Sequence, residues 1–108
     1  MSQTLIQFPP SVGGGDVVMC VLTTGKYEDI LKATAKAPYT ETLAELVQAS
    51  IVTFRGKPLP VGGDREAWWR ELDVRLRACI IAYYKRLNEV DSEEIDSFFA
   101  AAERVKSA

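Results

Sequence analysis

Few side chains in this chain could drive a reaction, and their spacing gives most of them other work. Histidine is absent, which removes the commonest general base near neutral pH and the commonest zinc ligand together. An acid–base enzyme would then need paired carboxylates or a tuned lysine. The carboxylates Glu93 and Glu94 are adjacent and so diverge on a helix, and they suit a helix start, where the dipole favours negative charge. Cys20 and Cys79 stand far apart without a CxxC spacing, so they predict two buried thiols, or a disulfide only if the fold brings them together, and not a zinc ribbon or a redox dithiol. The run Gly13-Gly14-Gly15 precedes a strand pattern, and Gly25-Lys26 is followed by Tyr27 where a phosphate loop needs Ser or Thr. No catalytic constellation, cofactor site or metal site is expected.

The chemistry that remains is that of docking. Trp68-Trp69, Tyr83-Tyr84 and Phe98-Phe99 are adjacent aromatic pairs, and neighbours on a helix point about 100° apart. One ring of each pair can enter a core while the other lies at a rim or on a neighbouring helix, where an amphipathic ring favours a partner. Arg70, Arg75, Arg77, Lys85 and Arg86 make one segment basic, and Glu89, Asp91, Glu93, Glu94 and Asp96 make the next acidic. Pairing across a helical hairpin or simple solvation accounts for that contrast, which bears on orientation and partner choice more than on stability. The residues expected to bind a partner are Trp68, Trp69, Tyr84 and Phe99, with Arg75 and Arg77 as rim charges.

The elements that must position them are those of one small domain. A chain of 108 residues can bury one shared core. With 47% hydrophobic and 26% charged residues and a formal charge of −2, it has ordinary globular composition and an unpromising balance for nucleic acid. A small DNA-associated regulator using Arg70 to Arg86 is a lesser alternative. The apolar run around Ala78 to Tyr84, bounded by Arg75, Arg77, Lys85 and Arg86, is too short to span a bilayer. With no basic-apolar leader at the N-terminus, the expected compartment is a reducing cytoplasm.

Thr4 to Phe8 reads as a short edge strand stopped by Pro9-Pro10, and Val17 to Leu22 as its hairpin partner across the glycine turn. Thr23 or Thr24 caps a helix over Lys26 to Lys36, and Pro38 ends it. Thr40 or Thr42 opens a second helix, Thr42 and Glu45 matching a capping box. Ile51 to Phe54 fits either a third strand or the close of that helix, because periodicity cannot settle so short a run. Arg55-Gly56-Lys57-Pro58 is turn chemistry, and Asp64 is the expected cap of a third helix. The helical pattern from Arg65 to Asn88 should break near Leu72-Asp73, and a last helix should start at Asp91-Ser92. The expected fold class is α+β, mainly α: a β-hairpin (residues 1–25), helices with a Gly/Pro-rich loop (26–63) and a C-terminal helical part (64–108), four to five helices in all.

As a whole the chain resembles the small tail-assembly chaperones of tailed bacteriophages. The likeness is carried by Leu5-Ile6-Gln7-Phe8-Pro9 through Gly13-Gly14, the strand Val17 to Leu22, and the Thr23-Thr24-Gly25 lead into a helix. It continues through Leu46-Val47-Gln48-Ala49-Ser50-Ile51, the turn Phe54-Arg55-Gly56-Lys57-Pro58, and the close Leu87-Asn88 to Asp91-Ser92-Glu93-Glu94-Ile95-Asp96. The resemblance implies a non-enzymatic role in the cytoplasm of an infected bacterium, binding the tape-measure protein or other tail or baseplate components during assembly. A homo-oligomer is compatible with it, as is a structural tail or baseplate subunit retained in the virion.

Overall fold

The computed structural model describes residues 3–89 and residue 100. Strand β1 (Gln3–Gln7) pairs antiparallel with β2 (Asp16–Cys20) in continuous register from Gln3↔Cys20 to Gln7↔Asp16. Between them Pro10–Val12 form a single 3-10 turn that ends at Gly13 in the left-handed region, φ 94°. The Phe8 amide donates to the Gly15 carbonyl (2.9 Å) and closes the hairpin. The expected hairpin is present, with β1 at the edge of the sheet.

Helix α1 (Thr24–Ala33) is capped by Thr23, whose hydroxyl accepts from the Lys26 amide (3.2 Å). It stops short of Lys36 because Thr34 leaves the helical region and its hydroxyl donates back to the Ile30 carbonyl (2.8 Å). Helix α2 (Tyr39–Ser50) begins earlier than the capping-box pattern implied. Pro38, with φ −59° and ψ 152°, presents its carbonyl to the amides of Glu41 and Thr42, so Thr42 is already inside the helix. Freed from capping, the buried Thr42 hydroxyl donates to Thr34 Oγ1 (2.9 Å) and ties the two helices together.

The ambiguous run after α2 is strand β3 (Ile51–Phe54), added antiparallel to β2 to give the sheet order β1-β2-β3. Val17 faces Phe54, Val18 faces Thr53 and Met19 faces Ile51, which leaves Val52 as the extra residue of a bulge. The strand then reverses through Arg55 and Gly56, with φ 50° and 80°. Positive φ at both central residues is the type I′ geometry that matches strand twist. Phe54 and Lys57 exchange both backbone hydrogen bonds, 2.8 and 3.1 Å.

Helix α3 (Gly63–Glu71) starts after Gly62, φ 60°, with no side-chain cap. Asp64, the expected cap, instead sits in the first turn with Glu66, where both carboxylates oppose the dipole. The expected break falls at Leu72, which is extended, and Asp73 accepts from the Arg75 amide (2.8 Å) to start α4 (Val74–Asn88). At the far end of α4, Asn88 accepts from the Leu22 amide (2.8 Å) and donates to the Tyr84 carbonyl (3.1 Å), anchoring the helix to the chain leaving β2. Four α-helices thus lie among the described residues, and the helix expected from Asp91 falls outside them.

The core joins one sheet face to the helices. Val17 and Met19 of β2, Val47 of α2 and Ile80 of α4 have no exposed surface, and Phe8, Ile30, Leu46, Ile51, Trp69, Leu76 and Tyr84 complete the cluster. No described helix is long and apolar enough to cross a membrane.

Candidate functional site

The sites expected from the aromatic pairs divide sharply once the helices pack. Trp69 is 8% exposed and Tyr84 only 3%, so both belong to the core, and of the two only Trp69 borders a surface cleft. Trp68 is half-buried, its ring edge-on to Phe54 at 5.2 Å and 6.1 Å from Trp69. Phe54 in turn packs on Phe8 (5.7 Å), and Phe8 stacks on Tyr83 (6.1 Å). These rings join the sheet to α3 and α4 and do not project from them. Burial pushes the Tyr84 phenol up to about 12, and the nearby Tyr27, Glu89 and Tyr39 add to the effect. Phe99 lies outside the described residues.

Of the two expected rim arginines, Arg75 stays at the surface and Arg77 packs against its own chain. Arg75 pairs with Asp73 (3.4 Å), the only ion pair among the described residues. Hydrogen bonds from the Arg75 backbone and side chain hold the Asp73 carboxyl below its usual range. Arg77 lays its guanidinium 4.6 Å from the Trp69 ring centroid and donates to the Trp69 carbonyl near the end of α3. A cation there satisfies a late helical carbonyl and opposes the dipole. Arg77 is thus the joint between α3 and α4, which its charge alone could not reveal.

The same packing opens a cleft of about 760 Å³ between α2 and α3, with α1 and α4 at its ends. Glu41, Ala44, Glu45 and Gln48 form its α2 wall, residues that share one helical stripe because they recur at three-to-four spacing. Arg65, Glu66, Trp69 and Arg70 form the α3 wall by the same spacing. Ile30 and Ala33 of α1 and Arg77 of α4 close the ends. An acidic wall therefore faces a mainly basic one, yet no ion pair crosses the cleft among the described residues. Arg65 donates to the Pro60 carbonyl (2.8 Å), while Glu41, Glu45 and Arg70 are exposed. The cleft has an apolar floor and charges of opposite sign on its two sides, a form suited to a helix with flanking charges.

Sequence reasoning missed this cleft, although the Glu41/Glu45 and Arg65/Arg70 spacings were visible. It also missed Arg55, whose guanidinium donates to the carbonyls of Val12 (3.0 Å) and Gly14 (3.3 Å) and lies over Phe54 (5.2 Å). That contact makes Arg55 a clamp on the glycine turn. A Cβ on Gly15 would stand 2.9 Å from the Arg55 side chain, so the glycine there serves close approach as well as its φ of 83°. Among the described residues no cluster of His, Cys, Asp or Glu could hold a metal ion. Comparison with protein-family models, with curated proteins and with solved structures finds no match.

Proposed function

We propose that this chain is a non-enzymatic assembly factor of tailed bacteriophages, acting in the host cytoplasm on the tape-measure protein or another tail or baseplate component. The observation that carries the reading is the α2–α3 cleft, with apolar Ile30, Ala33, Ala44 and Trp69 between an acidic and a mainly basic wall. Long helical segments awaiting assembly expose apolar seams, and reversible cover needs apolar area bordered by charges that set orientation. The resemblance in element order supports the same reading. The fitting partner is a helix with a small apolar seam, basic residues on the side meeting Glu41 and Glu45, and acidic residues on the side meeting Arg65 and Arg70.

Co-expression with the tape-measure protein, followed by affinity capture, tests it. The wild-type chain should retain the partner, and Ala44→Arg, which fills the cleft from its half-buried wall, should weaken capture at least about tenfold. Val74→Ser on the exposed start of α4 should leave it unchanged. Equal capture by the wild type and Ala44→Arg would move the contact elsewhere, and failure to capture any tail component would count against the role. Mass spectrometry of purified virions separates a chaperone, absent from the particle, from a structural subunit that stays in it.

A further inference from the structure

The geometry points to a second interface, the outer edge of β1, unpaired among the described residues, at which two copies of this chain join their sheets antiparallel about a two-fold axis at Leu5. The direction of the backbone groups follows from the hairpin. Phe8 donates to Gly15, its register partner one step beyond Gln7↔Asp16, which makes Phe8/Gly15 a hydrogen-bonded pair. Such pairs alternate along an antiparallel ladder. Ile6 and Thr4 therefore direct their amides and carbonyls toward β2, while Gln7, Leu5 and Gln3 direct theirs away from it. On the other side of β2, the Arg55 amide donates to the Asp16 carbonyl (2.7 Å), as the same alternation requires. Among the described residues β1 pairs only with β2.

The three outward residues match their own two-fold images. Centring the axis on Leu5 makes Leu5↔Leu5 a hydrogen-bonded pair and sets Gln3 opposite Gln7 on both sides. No charge meets a like charge, because the strand Gln-Thr-Leu-Ile-Gln carries none. The side chains of these three residues share the sheet face opposite Ile6 and Val17. All three are exposed, Leu5 by 59%, and pairing would bring the two leucines together. A partner of identical sequence meets an isologous interface, in which one patch serves both copies.

The opposite edge of the sheet is guarded more fully than this one, which Pro9-Pro10 bound only beyond Phe8. Beside β3 stand a bulge at Val52, the reversal Arg55-Gly56-Lys57 and then Pro58, devices that discourage edge pairing. β1 contains no lysine, proline or bulge. The cleft that carries the functional reading lies between helices, so the two surfaces can be tested apart.

Sedimentation equilibrium of the full chain from micromolar to hundreds of micromolar is the primary test. The wild type should shift from 12.0 kDa toward twice that mass. Leu5→Pro removes an amide that serves only the free edge, so it should leave the circular dichroism spectrum intact and the chain monomeric throughout. Leu5→Lys should do the same by opposing two charges at the axis. As a positive readout, Leu5→Cys should form a covalent dimer under mild oxidation, since hydrogen-bonded partners lie about 5.5 Å apart at Cα, within disulfide reach. Gln7→Cys, four residues out of register with its own image and opposite Asp16 in its own hairpin, should not. A wild type that remains monomeric over the whole range overturns the proposal, as does a dimer that survives in folded Leu5→Pro and Leu5→Lys.

Discussion

Arg55 shows how one side chain can offset a local cost by a distant contact. A non-glycine residue at φ 50° is disfavoured by roughly 1–2 kcal/mol, and the guanidinium returns comparable energy through two carbonyls and two rings. Arg55→Ala keeps the strained backbone and loses the clamp, so denaturant unfolding should show a loss of about 1–2 kcal/mol. Tyr84 gives a second prediction at this scale. Its phenol ionises near 12 in the folded chain against 10.0 for an ordinary tyrosine, so folding holds that proton more tightly. The contribution is complete below pH 10.0 and is lost as pH rises toward 12. Ultraviolet titration should find a phenol ionising about two units late, and Tyr84→Phe should remove it and flatten the alkaline fall in stability.

The helix ends of α4 are secured by separate side chains, and these can be broken one at a time. Asp73 holds the first turn of α4 through the Arg75 amide. Its carboxyl is depressed, so the support is present above the ordinary carboxylate range and disappears as pH falls through the lowered value. Asp73→Ala should lower Tm at neutral pH, and the difference from wild type should shrink in acid. Asn88 works at the other end by tying Leu22 to α4. Asn88→Ala should cost about 1 kcal/mol and raise amide exchange at Leu22 before it affects the sheet. Capping motifs at Thr42 and Asp64 read well as letters but were superseded by Pro38 and Gly62, because the backbone at those two residues had already fixed the helix starts.

At the scale of the whole molecule, stability rests on the layer between the sheet and α2 with α4. Ile80 is completely buried within it, and Ile80→Ala should cost about 2–5 kcal/mol, a large share of the total stability of a domain this size. Val74, 79% exposed on the same helix, should tolerate alanine within about 0.5 kcal/mol. Calorimetry of the pair checks whether α4 is central. The packing that buries Tyr84 leaves Trp69 and Arg77 in the lining of the cleft, so the surface left for partners only partly coincides with the one the aromatic pairs suggested.

Periodicity, proline, glycine and capping residues determined by themselves the hairpin, the helices up to Asn88, the break at Leu72-Asp73 and the mainly α composition, because those preferences act within a turn or two of chain. Tertiary structure alone decided that Ile51–Phe54 is a strand, since its hydrogen bonds lie with β2. It also decided which ring of Trp68-Trp69 and of Tyr83-Tyr84 is buried, that Arg77 joins α3 to α4, and that Glu41 and Glu45 face Arg65 and Arg70 across a cleft. Adjacent letters carry the angle between two side chains but not which direction is inward. That direction is set by the elements that pack on them, through contacts made far apart in the chain.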